Sequence, residues 1–209
     1  MSLDGQLPEG VGVAAFAHEL KNAFAVLEGE LASLARDTDH AQARTALAHA
    51  AEIRARLVSF LMLAQGGQDI RVVRDLHEPA RFLQETVAEL VLAEPVRRML
   101  AVADAASPPA AGFDATLVQR AIEGAIHNAA RFAHGRIELR ASACDGGVLF
   151  EVLDDGPGVQ DAAGAVSTGL GLALARAIAA AHRRAGRTGW ARLADRDDGR
   201  GARFSIWLP

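Results

Sequence analysis

The sequence predicts an α + α/β protein, in which a helical hairpin precedes a mixed domain of strands and helices. Two observations support this division. Between residues 13 and 64, apolar residues recur at alternating spacings of three and four, which is typical of helices that pack against each other. After the glycine-containing segment 65–69, stretches of alternating apolar and polar residues appear between helical patterns, which indicates strands.

The composition sets limits on the class of protein. The chain has 209 residues and the composition of an ordinary globular protein, and its net charge of −4 gives no reason to expect nucleic acid or an anionic membrane as a partner. A single cysteine, Cys144, excludes an intrachain disulfide and fits a reducing compartment. No apolar run reaches the length of a membrane span, and no signal peptide is evident. We therefore expect a soluble, cytoplasmic protein.

Two amphipathic helices are predicted in the first part of the chain. The first covers residues 13–34, the polar segment "RDTDH" (36–40) interrupts the pattern, and a second apolar stripe covers residues 46–64. We place the resulting antiparallel hairpin at residues 11–65. Because two helices alone bury too little apolar surface, two copies would be needed to complete a four-helix bundle, which predicts a homodimer.

The second part, residues 69–209, is predicted to form a largely antiparallel sheet with helices on one face, an α/β sandwich. Predicted strands cover residues 70–76, 97–105, 136–143, 148–154 and 202–209, and predicted helices cover residues 78–92, 114–133 and 170–182, with a loop at 107–112. Asp114 is a suitable N-cap for the middle helix. The turn "CDGG" joins two of the strands into a hairpin.

Three short motifs in this second part fit nucleotide chemistry, although each is weak alone. In "DDGPGV" (154–159), an acid ends a strand and glycines follow it; the alternative is an ordinary Pro-Gly turn. In "STGLGL" (167–172), the N–H groups that open a helix suit phosphate; the alternative is a plain helix start. In "IHNAARF" (126–132), Asn128 and Arg131 share one helix face and suit Mg²⁺ and phosphate; the alternative is a solvated face.

A fourth motif lies near the start of the first helix. "HELKN" (18–22) places a base, an acid and an amide within about one helical turn, at His18, Glu19 and Asn22. With Val13 at a heptad a position, His18 falls at an f position on the outside of the bundle, where a reactive imidazole is reachable from solvent. The alternative for the acid and the amide is solvated helix surface.

Together and in this order, the motifs resemble those of two-component sensor histidine kinases. "FAHELKN" resembles their H-box, "HNAARFA" their N-box, and "DDGPGV" and "TGLGLALA" their two glycine boxes. The resemblance covers the chain from about Val13 to Pro209. It implies a dimerisation and phosphotransfer hairpin followed by a Bergerat-type ATP-binding domain, the fold shared with gyrase and Hsp90. It also implies an ATP-dependent protein-histidine kinase that uses ATP and Mg²⁺ and acts on the receiver domain of a response regulator.

The resemblance implies a role for each matching residue of the H-box and N-box. His18 would be the phosphoacceptor, Glu19 would accept the imidazole proton, and Asn22 would orient water when a partner regulator is dephosphorylated. Asn128 would ligate Mg²⁺ between the phosphates, and Arg131 would contact phosphate.

The glycine boxes receive roles in the same way. Asp154 would accept a hydrogen bond from the exocyclic amine of adenine, and Gly156 and Gly158 would let the backbone approach the nucleotide. The second box would contact the phosphates or act as the hinge of the lid, which is the segment between the two glycine boxes. Its residues are Thr168, Gly169, Leu170 and Gly171.

The chain departs from the family pattern in three places. The lid between the glycine boxes, Val159 to Ser167, is short and lacks an aromatic box, which leaves low ATP affinity or solvated phosphates as alternatives. Gly124 replaces the usual first Asn of the N-box, and Ala23 replaces the Pro that often follows the H-box Asn. These departures leave a rival open, a histidine phosphotransferase that relays phosphate between regulators with a vestigial ATP site. The retained Asn128 and the acid and glycines of the boxes favour the kinase.

Overall fold

The computed structural model describes residues 25–29, 31–32, 41–64, 70–92, 94–103, 106–159 and 169–209. The candidate residues His18, Glu19, Asn22 and Thr168 lie outside the described residues, as does most of the segment between the glycine boxes. The interpretations attached to them stay predictions.

Two helical stretches precede the sheet. Residues 25–29 and 31–32 (α1) are helical, and α2 covers Ala41–Ala64. The Nε atom of Arg54 in α2 donates to both carboxylate oxygens of Glu28, at 2.8 and 3.0 Å, which brings α1 and α2 together. Ile53 and Phe60, both in the predicted apolar stripe of α2, are about half exposed. No helix in the described ranges is long and apolar enough to cross a membrane.

The remaining elements alternate between strands and helices. In chain order they are β1 (Asp75–His77), α3 (Pro79–Glu89), α4 (Glu94–Met99), β2 (Leu100–Ala103), β3 (Ala111–Phe113), α5 (Ala115–Phe132), β4 (Ile137–Cys144), β5 (Gly147–Asp154), α6 (Leu170–Ala181), β6 (Arg183–Arg184), β7 (Arg187–Thr188), β8 (Trp190–Asp195) and β9 (Ala202–Leu208).

Five of these strands form the main sheet, in the order β2–β4–β5–β9–β8. The β2–β4 pair is parallel and the other pairs are antiparallel. Helices α3, α5 and α6 pack against the sheet, and their buried side chains form one core with alternate residues of β4, β5 and β9. Phe82, Phe113 and Phe150 meet edge to face in this core, with ring centroids 5.0 to 5.7 Å apart. The predicted sheet, largely antiparallel with helices on one face, is confirmed.

The strand predicted at residues 70–76 is mostly wrong. Only Asp75–His77 forms a strand, and it pairs with β3 outside the main sheet. Ile70 and Val72 pack against the core from an irregular segment. The backbone N–H of Val73 donates to the side chain of Asp114 at 2.8 Å. A side chain thus replaces a neighbouring strand as the hydrogen-bond acceptor, and the apolar pattern alone does not show this.

Two further boundaries differ from the prediction. Residues 97–99, predicted as strand, belong to α4, in which Glu94 and Arg98 form a pair four residues apart. The predicted loop at 107–112 ends in β3. The structure also contains β6, β7 and β8, which the sequence analysis did not predict. The arginine-rich segment of β6 and β7 shows no apolar period.

Asp114 is the N-cap of α5, as predicted, and it also joins three parts of the domain. Its Oδ1 accepts from the N–H of Leu117 at 3.0 Å, while its own backbone N–H donates to Nε2 of the fully buried His182 at 3.1 Å. The other ring nitrogen, Nδ1, then carries the proton and donates to the carbonyl of Ile178 at 2.8 Å. Burial lowers the pKa of His182, and its hydrogen bonds require the neutral ring.

We expect the fold to lose stability in acid through His182. Because the pKa is lowered in the folded state, the unfolded chain takes up the proton first, so the loss begins as the pH falls below about 6.5, the ordinary histidine pKa, and approaches about 1.4 kcal/mol per pH unit for this group. Urea unfolding between about pH 5 and 7.5 should show a smaller pH slope for His182→Gln than for wild type. The exposed His49→Gln is the control and should keep the wild-type slope. If His182→Gln kept the wild-type slope, a group other than His182 would be responsible for the loss of stability in acid.

Candidate functional site

A cavity opens between α2, the second half of α5, the start of α6 and the end of β5. The structure brings six of the sequence-predicted residues together in its lining: Asn128, Arg131, Asp154, Gly169, Leu170 and Gly171. Residues from three separate motifs therefore meet at one place. Gly156 and Gly158 follow Asp154 without lining the cavity.

Asp154 is buried at the end of β5 and has two distinct carboxylate oxygens. Oδ1 accepts from the backbone N–H groups of Gly156 at 2.9 Å and Ala202 at 3.1 Å. Oδ2 accepts no hydrogen bond from the part of the chain that the structure describes. Apolar side chains line the same cavity, among them Val152 and Phe204. This combination suits a flat, largely apolar ring that presents an N–H donor to the free oxygen.

The glycines around Asp154 are required by the packing of the chain itself. A Cβ atom on Gly156 would lie 2.6 Å from the carbonyl oxygen of Phe132. Gly158 and Gly201 both have positive φ values, of +91° and +90°, and a Cβ on Gly201 would lie 2.0 Å from the carbonyl oxygen of Asp154. These contacts explain why the fold needs glycine at positions 156 and 158. The close approach of Gly156 and Gly158 to a nucleotide stays a prediction. Gly201 lies against Asp154 without lining the cavity, and the sequence analysis missed it, since a lone glycine before a strand is common.

The start of α6 offers backbone donors to the cavity. Gly169 is its N-cap in a left-handed conformation, with φ +66°, and provides no side chain to cap the first N–H groups. An added Cβ at Gly169 would meet no atom within 4 Å among the described residues. Because no described side chain caps these N–H groups, they and the positive end of the helix dipole favour an anion at this position.

The second acid of the first glycine box, Asp155, holds a neighbouring loop. Its Oδ1 accepts from the backbone N–H groups of His134 at 2.8 Å and Gly135 at 3.1 Å. Burial raises the pKa of Asp155, but the backbone N–H groups of Gly135, Arg136 and His134 outweigh it and leave the pKa below its ordinary value. The two adjacent acids thus have different tasks: Asp155 fixes the loop after α5, and Asp154 faces the cavity.

The cavity lining from α2 and α5 contains residues that the sequence analysis did not single out. Glu52 and Arg56 of α2 line the cavity and form an ion pair with each other, and on α5 His127 lines it next to Asn128. The Nε2 atom of His127 is buried and has no hydrogen-bond partner within the described ranges. Burial lowers the pKa of His127. Glu52 and Arg56 are ordinary helix-surface residues by sequence, so only tertiary structure reveals their position.

Gly124, which stands where the family has the first Asn of the N-box, lies where α5 and α6 meet. A Cβ atom on Gly124 would be 3.9 Å from Cα of Gly171, an ordinary contact distance. The residue also lines the cavity, so the missing amide leaves open space there.

Comparison with known proteins agrees with this geometry. Residues 113–209 match the family model of histidine kinase-, DNA gyrase B- and HSP90-like ATPases. Over 112 residues the chain is 31% identical to the sensor histidine kinase CpxA of Escherichia coli (strain K12). Residues 113–209, less than half of the chain, are therefore similar to the ATPase domain of this family. The CpxA match covers 44% of this chain and 22% of CpxA, so the chain spans less than a quarter of that relative.

Solved structures share the fold. The histidine kinase AdeS of Acinetobacter baumannii superposes with a TM-score of 0.60 at 20% identity, covering 91% of this chain and 96% of AdeS. Full-length ShkA, solved in complex with AMPPNP, gives a TM-score of 0.64 at 24% identity, covering 95% of this chain and 45% of ShkA. The family match itself begins at residue 113, so it does not include the H-box.

The contacts of Gly201 and Gly124 predict different effects when each is replaced by alanine. Gly201→Ala should destabilise the domain by about 2 kcal/mol or more, because it adds a clash with the Asp154 carbonyl to an unfavourable positive φ. Gly124→Ala meets only ordinary contacts within a helix and should be neutral or stabilising, by up to about 1 kcal/mol. Urea unfolding of both variants beside wild type tests the pair. Equal stability of the two would contradict the close approach at Gly201.

Proposed function

We propose that the protein is an ATP-dependent histidine kinase, which binds ATP and Mg²⁺ in this cavity, autophosphorylates His18 and passes the phosphoryl group to an aspartate on a response-regulator receiver domain. The main support is that one cavity brings together Asp154, the amide of Asn128 and the start of α6. Within the described residues, one oxygen of Asp154 accepts no hydrogen bond and no side chain caps the start of α6. The similarity to sensor histidine kinases supports the same reaction class.

The buried end of the cavity fits adenine. The ring would lie among the apolar side chains, and its exocyclic amine would donate to Oδ2 of Asp154, the oxygen that the described chain leaves free. Oδ1 remains committed to Gly156 and Ala202, so the carboxylate is held in place before the ligand arrives. This preorganisation reduces the entropy lost on binding.

The phosphate end fits the start of α6 and the second half of α5. The N–H groups after Gly169 and the exposed guanidinium of Arg131 are suited to phosphate oxygens. No group of three or more His, Cys, Asp or Glu side chains that could hold a metal occurs in the described ranges. Mg²⁺ would therefore be held by the amide oxygen of Asn128, by the phosphates and by water, as is usual for this ion.

The phosphoryl transfer rests on the H-box resemblance, because His18, Glu19 and Asn22 lie outside the described residues. A neutral imidazole nitrogen of His18 would form the N–P bond while the bond from the γ-phosphorus to the bridging oxygen breaks and ADP leaves. Glu19 would take up the imidazole proton. Asn22 would position the water that removes phosphate from a regulator.

A homodimer through the hairpin of residues 11–65 is part of the proposal. Four large apolar side chains of α1 and α2 are substantially exposed in a single chain: Val26, Leu27, Ile53 and Phe60. Exposed apolar side chains on adjacent helices are suited to burial against a second copy. The dimer would place the phosphoacceptor helices of two chains in one bundle.

Incubation with γ-labelled ATP and Mg²⁺ tests the kinase directly. Wild type should acquire acid-labile label, as expected for a phosphohistidine, and His18→Ala and Asp154→Ala should acquire none. The rival, a phosphotransferase with a vestigial ATP site, predicts no label from ATP in any variant. It predicts instead that His18 accepts label from a phosphorylated receiver domain.

Asp154→Asn should separate base recognition from folding. The asparagine keeps one oxygen for the N–H groups of Gly156 and Ala202 but presents an amide donor where the free oxygen stood. ATP affinity should fall by roughly 10- to 100-fold, since a buried donor then faces the adenine amine. The affinity for GTP should fall less or even rise, because guanine has an acceptor at this ring position.

Competition binding with ATP and GTP measures this change in preference. Asp155→Asn is the matched control: it weakens the loop contacts at His134 and Gly135 and should leave the ATP-to-GTP ratio unchanged. A ratio in Asp154→Asn equal to that of wild type would argue against the contact with the adenine amine.

A further inference from the structure

The α2 helix forms one wall of the nucleotide cavity, although it precedes the family match by about fifty residues. It packs along α6 and touches α5. Glu52, Arg56 and Ser59 of α2 line the same cavity as Asn128. The cavity is therefore built by two parts of the chain, and the polar side chains of α2 face the space that the ligand would occupy.

Arg56 is placed to exchange its present partner for another anion. It pairs with Glu52, one helical turn earlier on the same helix, and its side chain is 47% exposed. Pairs of this kind on a helix surface contribute only about 0.3–0.5 kcal/mol, so the guanidinium can leave Glu52 at little cost. Asp154, by contrast, is 5% exposed, so Arg56 borders a more open part of the cavity than the carboxylate that would hold the base.

The charges of the cavity lining favour such an exchange. Its described lining contains three arginines, Arg56, Arg120 and Arg131, and three acids, Glu52, Glu123 and Asp154. These charges balance formally, so a phosphate chain that enters the cavity finds no excess of positive charge while Arg56 remains paired with Glu52. Release of Arg56 toward the ligand provides a cation at the open end, and a guanidinium can bind phosphate in bidentate geometry.

His127 gives independent support for a polar occupant at this wall. Its buried Nε2 has no partner among the described residues, and such atoms in native proteins are normally satisfied by a ligand or by water. Glu52 and Arg56 both act electrostatically on His127, with opposite sign, which places the three side chains near one another.

We propose that Arg56 of α2 binds the terminal phosphate of the nucleotide, and that its guanidinium moves from Glu52 to the phosphate when ATP enters. This inference rests on the ATP site of the proposed function. It adds a phosphate ligand from the helix that precedes the ATP-binding domain. Bound ATP then joins α2 to α5 and α6.

Isothermal titration of the full chain with ATP, ADP and adenosine, in the presence of Mg²⁺, tests the proposal. Arg56→Ala should weaken ATP binding roughly 5- to 20-fold, as expected for a charged hydrogen bond at a partly exposed site, and should leave adenosine binding unchanged. Glu52→Gln should tighten ATP binding, because it weakens the competing partner. Arg81→Ala is the matched control, since Arg81 forms the same kind of pair with Glu85 on α3 outside this cavity, and it should bind all three ligands like wild type.

The outcomes separate this inference from the proposed function. Wild type that binds neither ATP nor adenosine would overturn the ATP site and the role of Arg56 together. Wild-type ATP binding that Arg56→Ala leaves intact would overturn only the role of Arg56. An equal loss of ATP and adenosine affinity in Arg56→Ala would also overturn it, because it would show damage to the cavity rather than loss of a phosphate contact.

Discussion

The two carboxylate oxygens of Asp154 have different roles: one holds the backbone in place and the other is available to a ligand. The rest of the site depends on this division. One oxygen is held by backbone N–H groups from the loop after β5 and from the start of β9. The carbonyl of the same residue accepts from Nη1 of Arg196 at 3.2 Å and lies against Gly201. The end of β5, the glycine loop and the closing strand are therefore fixed at one residue. That rigidity fixes the position of the second oxygen, in a residue that lines the cavity.

This shared role explains why the glycines cluster where they do. The loop after Asp154 and the start of β9 approach it so closely that a Cβ atom on Gly156 or Gly201 would overlap backbone oxygens. Glycine-rich motifs near nucleotides are often attributed to the approach of the ligand. Here the close contacts within the chain are already sufficient to require these glycines. For binding, the important result of these contacts is that they hold Asp154 in position.

Much of the domain could be predicted because its elements carry their own signals. The β4–β5 hairpin, α6 and β9 have clear apolar periods, and α5 begins at the predicted cap, Asp114. Predictions failed where long-range contacts decide the structure. Val73 donates to a side chain 41 positions away instead of to a strand, and the segment after α6 is anchored by His182 rather than by an apolar period. The cavity-facing position of Arg56 follows from the packing of α2 on α6, which no local pattern encodes.

Because α2 packs against the proposed nucleotide cavity, ATP binding and the position of α2 should be coupled in both directions. If ATP contacts α2 through Arg56, then ATP stabilises the packing of α2 on α5 and α6. By linkage, any influence that holds α2 in this position raises the affinity for ATP by the same factor, and any influence that moves it away lowers the affinity equally. The hairpin that is proposed to carry the phosphoacceptor would then report the occupancy of the site and also control it. The sequence between the glycine boxes, residues 159–167, contains no Lys or Arg, which makes a cation supplied by α2 more important.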